Sequence, residues 1–348
     1  MFSPTPLPRS LEASFRDLTS ERAPTRLSAI RDVVRHALRS DPARARAIPI
    51  FERMLQHDDS ALVRAQAAVG LADVRAGVST LLVAVEDEDA RVRQMALSAL
   101  GEIGDRRATG RLERALRDER PEVRYQAVIA FSRVASDDPE AVALALARAL
   151  EDPDDSIRYI AMRLVEERAT DGRPLPHARL MSRVQQLVDG PDESVAIVAA
   201  LVLARLGHPA GREVVVAVVE GRRSTPEEED DSACVDLVGE LQIREVIAAL
   251  ERRVWGRPRP LRAVLAWGGG HCASSAWHAR IALARMGHVR ARSEILTDLA
   301  SRRRETRDAA VVAAGRARMV EARPKLEKLG GTVDATLLRE ALVDLGAE

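Results

Sequence analysis

LQHDDSALVRAQAAVGLADV at 55–74, VEDEDARVRQMALSALGEIG at 85–104, LRDERPEVRYQAVIAFSRVA at 116–135 and LEDPDDSIRYIAMRLVEERA at 150–169 are four versions of one pattern. Each has an acidic turn, a Val/Ile–Arg pair, an alanine three residues after that arginine, and apolar positions at helical spacing. The pairs Val63–Arg64, Val92–Arg93, Val123–Arg124 and Ile157–Arg158 lie 29, 31 and 34 residues apart. A period of that size marks a repeat architecture. Weaker copies follow: ESVAIVAALVLARLG ends at Gly207, SACVDLVGELQ at Gln242, SSAWHARIALARMG at Gly287, RDAAVVAAGRAR at Arg318 and DATLLREALVDLG at Gly346. Residues 27–55 read as an N-terminal helix pair that lacks the acidic turn, and nine or ten units result in all.

One unit shows the physics. In ARVRQMALSALGEIG (90–104), Val92, Met95, Ala96, Ala99, Leu100 and Ile103 fall on one helical stripe. Gly104 supplies a left-handed C-cap, and RRATGRLERALRD (106–118) forms a second helix antiparallel to the first. The acidic turn residues, Asp87 and Asp89 among them, sit near helix N-termini, where capping and negative charge are favourable. A lone hairpin cannot bury its apolar face. Stacked hairpins share one core. The spacing therefore predicts an all-α, right-handed α-solenoid of about nine to ten helical hairpins, more than about 65% helix and without sheet.

Composition agrees. Apolar residues make up 46% of the 348 residues but aromatics only 3%, which suits closely stacked helices better than a β-sandwich. Two cysteines, Cys234 and Cys272, are too few for a disulfide framework or a structural zinc site. The N-terminus has no basic region followed by an apolar run, and no apolar stretch is long enough to span a bilayer. A soluble cytoplasmic protein is the expectation. Of the 53 basic residues all but Lys325 and Lys328 are arginine, a bias that reads as codon usage in a GC-rich genome.

The motif D-x-x-V-R-x-x-A, carried by Asp89, Val92, Arg93 and Ala96 and again by Asp154, Ile157, Arg158 and Ala161, resembles HEAT repeats, in particular the short bacterial variety of the phycobilin lyases. In that family Asp and Arg form ladders between neighbouring repeats. The resemblance thus implies that Arg64, Arg93, Arg124 and Arg158 are structural. It covers 55–170 well and 171–348 in degenerate form, where the arginine becomes Ala196 or disappears. The expected organisation is one solenoid over 1–348, with capping helices at 1–55, regular repeats at 55–170, and degenerate repeats at 171–348 holding an irregular insert at 252–275.

Function is sought where the repeat breaks. The acidic run TPEEEDDS (225–232) lacks calcium-loop spacing and reads as a solvated loop leading into a helix cap. The stretch RRVWGRPRPLRAVLAWGGGHCASSAWHAR is different: repeat spacing lengthens to 45 residues between Gln242 and Gly287. Residues 252–307 carry 13 arginines against three acidic residues, whereas 137–251 carry 24 acidic and 12 basic residues. All three tryptophans, Trp255, Trp267 and Trp277, lie in the basic part. Arg with Trp is the composition of binding hot spots.

Catalytic and metal roles find less support. His271, Cys272, His278 and His288 have no zinc-ligand spacing, and a Cys–His pair would lack an acid to orient it. GGGHCASS could instead open a helix with Ser274 or Ser275 as N-cap and offer backbone N–H groups to an anion. The sequence therefore predicts a non-enzymatic scaffold with no cofactor. Trp255, Arg257, Arg259, Arg262, Trp267 and His271 are its expected contacts to a protein partner with an acidic surface. The alternatives are a nucleic-acid-binding solenoid resembling the HEAT-like DNA glycosylases and a chromophore lyase or chaperone.

Overall fold

A computed structural model describes residues 9–175, 177–256 and 271–346, without the side chains of 271–274. Helix accounts for 74% of it, and no strand occurs among the described residues. Two compact units, Met1–Arg183 and Val184–Glu348, divide the chain. In the first, α1 (Leu11–Asp17) precedes the pairs α2 (Ala23–Ala37) with α3 (Asp41–His57) and α4 (Ala61–Asp73) with α5 (Val78–Ala84). Next come α6 (Ala90–Ile103) with α7 (Thr109–Ala115), α8 (Pro121–Val134) with α9 (Pro139–Ala149), and α10 (Asp155–Thr170). The boundary falls within α11 (Ala178–Leu187). The second unit holds α12 (Glu193–Arg205) with α13 (Pro209–Val219), α14 (Glu228–Glu240) with α15 (Ile247–Trp255), and α16 (His271–Arg285) with α17 (Val289–Asp298). It closes with α18 (Arg304–Arg316), the short α19 (Arg323–Leu326) and α20 (Ala335–Asp344).

Within each unit the first helix of a pair packs on the first helix of the next, as α4 on α6, α6 on α8 and α14 on α16, and the second helix packs on that same following helix, as α5 on α6, α7 on α8 and α15 on α16. The chain is an all-α solenoid. Helix α6 shows what stacking does to the expected stripe. Val92, Ala96, Ala99 and Leu100 are buried as the periodicity predicts, but Leu97 and Gly101 are buried too, while Met95 and Ile103 are only half-buried. A helix with neighbours on both sides needs a wider apolar face than a single hairpin would. Where first helices cross, side chains are minimal. A Cβ on Gly101 would lie 3.0 Å from the Ala130 Cα, one on Gly239 2.8 Å from Ala282, and one on Gly315 2.7 Å from Ala341. An aromatic-poor core is the consequence of backbones pressed this closely.

The repeat also fixes where most of the first helices stop, α2, α8 and α10 excepted. Counting from Arg64 to Arg75, from Arg93 to Gly104 and from Arg307 to Arg318 gives one common offset, and all three end residues have positive φ. The same offset leads from Ala196, Asp231, Ala276 and Ala335 to Gly207, Gln242, Gly287 and Gly346, again all at positive φ. A left-handed residue ends the helix and turns the chain into its partner. This register survives in the second unit after the Val–Arg signature has gone.

No single helix among the described residues is long and apolar enough to cross a membrane. The α12–α13 pair is bent by 119°, and residues 195–204 of α12 with Val215, Val216, Val218 and Val219 of α13 are buried in the core.

Candidate functional site

The repeat arginines come first, because they show which charges the fold consumes. Arg93 donates from Nε and Nη2 to both Asp118 oxygens, each at 2.9 Å, and from Nη1 to the carbonyls of Asp87 at 3.0 Å and Glu88 at 3.2 Å. Arg64 grips Asp87 at 2.9 and 2.8 Å, and Arg124 grips Asp152 at 2.8 and 2.9 Å. These bidentate forks tie each turn to the next. Both members of every pair are nearly buried, with side chains 10–14% exposed. Arg158 keeps the carbonyl half of the pattern, donating to Asp152 at 2.9 Å and Pro153 at 3.1 Å, and pairs with Asp155 of its own turn.

The acidic turn divides its labour in a way the motif does not announce. Asp89 and Asp154 cap their own helices, whereas Asp87 and Asp152, two residues earlier, accept the previous repeat's arginine. Hydrogen bonding to those carboxylates raises the pKa of Arg64, Arg93 and Arg124 against the opposing effect of burial. Burial pushes Asp152 up, but hydrogen bonds from Arg124 and the Asp154 N–H, with the charges of Arg124 and Arg158, bring it below the ordinary carboxylate value.

Two ladder arginines escape the sequence pattern. Arg26 holds Asp58 at 2.8 and 2.7 Å and the Ser20 and Glu21 carbonyls, so the N-terminal pair read as lacking an acidic turn is a full rung. Arg307, preceded by Thr306 rather than Val or Ile, donates to the carbonyls of Ser301 at 2.9 Å and Arg302 at 3.0 Å. Thr332 stands where a ladder aspartate would, and only its carbonyl accepts from Arg307, at 2.6 Å. The Arg307 Nε is buried without an acceptor.

At the break in the repeat the rung is inverted. By the helix-end register Asp231 occupies the ladder-arginine position and Asp230, 1% exposed, that of the buried Val. Arg253 of α15 supplies the cation: Nη1 and Nη2 bind Asp231 at 2.6 and 3.0 Å, while Nη2 and Nε take the Val218 and Val219 carbonyls. Ser275 joins, accepting from Arg253 at 2.8 Å and donating to Asp231 at 3.2 Å. Two expectations change. The acidic run is not only a solvated cap, since its last two aspartates are built into the stack. Ser274 and Ser275 are not N-caps either, because α16 already begins at His271.

Of the residues expected to contact a partner, Arg257, Arg259, Arg262 and Trp267 lie outside the described residues, as does the side chain of His271. Trp255 is half-buried against the core, and its indole N–H donates to Glu294 at 3.1 Å. The His288 ring centroid is 5.3 Å away and Arg290 sits over the indole at 4.2 Å. His288 bonds Glu251 at 3.0 Å, and His278 bonds Asp236 at 2.8 Å. No cluster of metal-ligating side chains occurs among the described residues.

The structure sorts the arginines of the basic stretch. Arg253, Arg280, Arg285, Arg290 and Arg292 are spent on internal carboxylates. Arg252, Arg302 and Arg303 are exposed and form no ion pair among the described residues; exposed Arg304 has only Asp308 at 3.5 Å. Further along, a cavity of about 390 Å³ opens between α14, α16, α18 and α20, with Asp236, Glu240, Arg285, Arg316, Arg318 and Asp344 in its walls.

Residues 78–165 match the family model for HEAT repeats. No curated protein matches the chain in sequence. Among solved structures, YibA of Escherichia coli is similar at 15% identity and a TM-score of 0.55, over 78% of this chain and 93% of YibA. The CpcE–CpcF complex of phycocyanin lyase from a Nostoc species is 16% identical, with TM-score 0.42, over 72% of this chain and 96% of that one. An engineered protein is 20% identical, also with TM-score 0.42, over 97% and 98% of the two chains. Residues 78–165 are thus similar to HEAT repeats, and the Asp–Arg ladder runs through the same stretch.

Proposed function

We propose that this chain is a non-enzymatic interaction scaffold whose second unit recognises an acidic surface on a protein partner. The observation that carries this is the reversal of charge at one turn. The turns before α4, α6, α8 and α10 are acidic, and their aspartates are consumed by the ladder. The turn before α18 reads SRRRE instead, with Arg302, Arg303 and Arg304 exposed; among the described residues Arg302 and Arg303 have no ion pair, and Arg304 has only Asp308 at 3.5 Å. Charges that the fold does not use are available to steer an oppositely charged partner. HEAT repeats, which present extended surfaces, suit that role. The proposed setting is cytoplasmic.

The test is a pull-down from the source cells with the full chain and its Arg302→Ser/Arg303→Ser/Arg304→Ser variant. A protein that is retained by the parent, released by moderate salt and lost with the variant supports the reading. Retention that disappears on nuclease treatment, with binding to duplex DNA that falls steeply with salt, would replace it with nucleic-acid binding.

A further inference from the structure

The cavity between α14, α16, α18 and α20 carries more than its share of uncommitted cation. Ala282 and Gly315, one member of each of two close crossings already described, line it. Its carboxylates on α14 are occupied: Glu240 has Arg205 at 2.7 Å and Arg285 at 3.5 Å, and Asp236 has His278 at 2.8 Å. Arg316 and Arg318 are exposed, line the same cavity, and make no hydrogen bond or ion pair from their side chains among the described residues.

Each of the two is held in an unusual way. The Arg316 guanidinium lies over the Trp277 ring, 5.4 Å from its centroid. The cation–π contact holds the group beside the ring and leaves its N–H donors free for a carboxylate. Arg318 occupies the left-handed helix-end position at φ 51°, which Gly104, Gly207, Gly287 and Gly346 fill elsewhere. A side chain there costs stability that glycine would not, and backbone strain of this kind gathers at functional sites. Gln242, another side chain at this position, has a visible use, donating to the Arg285 carbonyl at 3.1 Å. Neither Arg318 nor the exposed Arg75 has such an internal use, and what sets Arg318 apart is its place in the cavity wall beside Arg316.

We propose that Arg316 and Arg318 form a seat for a carboxylate side chain from an acidic segment of the partner, with Asp344 accepting from a neighbouring donor on that segment. This deepens the scaffold reading and rests on it. Arg316 and Arg318 supply the donors, and Asp344, whose carboxylate lies beside Gly315, selects a segment in which the acid adjoins a hydroxyl, ammonium or free backbone N–H.

The experiment is fluorescence anisotropy on the full chain with a labelled peptide of alternating Glu and Ser. A Gln–Ser peptide and single-stranded DNA serve as comparisons. Arg318→Gly is the decisive variant: it should melt at least as high as the parent, because strain is relieved, yet bind the Glu–Ser peptide about tenfold more weakly. Arg316→Gln and Trp277→Leu should weaken binding in the same direction, and the Gln–Ser peptide should not bind. Arg302→Ser/Arg303→Ser/Arg304→Ser should change affinity by less than about twofold at moderate salt. Parent-like affinity in both Arg318→Gly and Arg316→Gln overturns the seat. If the triple-turn variant alone loses the peptide, the scaffold reading stands and the seat is wrong. Failure of the parent to bind the peptide, or preference for DNA, also overturns the seat; failure of the pull-down as well removes the scaffold reading.

Discussion

Arg75, Gln242 and Arg318 are the described non-glycine residues with positive φ, and all three stand at one position of the repeat. Arg75 is exposed, and no hydrogen bond of its side chain accompanies the strain. Arg75→Gly should therefore raise stability, by about 1 kcal/mol in urea unfolding, since an L-residue in this conformation costs about that much. Arg307 offers the opposite repair. Thr332→Asp should return a carboxylate to its half-used fork and raise the melting temperature, whereas Thr332→Asn, without charge, should gain less. A pH dependence follows from Asp152, whose pKa is lowered in the folded chain. A depressed carboxyl contributes stability above its unfolded value, near 3.9, and that contribution is lost as pH falls through the folded value. Melts between pH 7 and pH 3 should show the parent losing stability below about pH 4, and Asp152→Asn, already weaker at neutral pH, losing less over that range. None of these positions stands out in the sequence. The left-handed residues become legible only by counting back from Gly104 and Gly287, and Arg307 is masked by the threonine before it.

At the scale of the element, the helices were legible from their periodicity, but the width of their buried face was not. Gly101 lies off the hairpin stripe and is buried against Ala130 of α8, and Leu97, one turn before it, is buried as well. The small-residue crossings predict a contrast between two glycines. Gly315→Ala would place a Cβ 2.7 Å from the Ala341 Cα and should cost about 1–3 kcal/mol by forcing α18 from α20. Gly110→Ala in α7 meets nothing within 4 Å and should be neutral or stabilising by about 0.5–1 kcal/mol. Equal effects of the two in thermal melts would refute the close-crossing account. The acidic segment before α14 shows the complementary limit. Its composition suggested solvation, and only the approach of Arg253 from α15 and Ser275 from α16 turns Asp231 into an inverted rung.

For the whole molecule, stability in a repeat array is a sum over units and nearest-neighbour interfaces. Arg93→Ala would leave the Asp118 carboxylate nearly buried without its cation, and breaking such a pair costs about 3–5 kcal/mol. Hydrogen exchange should then accelerate in α4, α6 and α8 while α14, α16 and α18 keep their protection. A uniform loss across both units would contradict the nearest-neighbour picture. The all-α repeat and its period were legible in the residues because each is a local pattern restated at intervals, and the structural character of Arg64, Arg93 and Arg124 followed from the resemblance to HEAT repeats. Only the tertiary structure decided which aspartate is a cap and which a rung, which arginines of the basic stretch are spent and which are free, and that Arg316, Arg318 and Asp344 share one cavity. Those facts depend on pairings between separate elements, 23 residues apart for Arg64 and Asp87 and 28 for Arg124 and Asp152, where burial and distance, rather than residue type, determine whether a charge holds the fold together or faces outward.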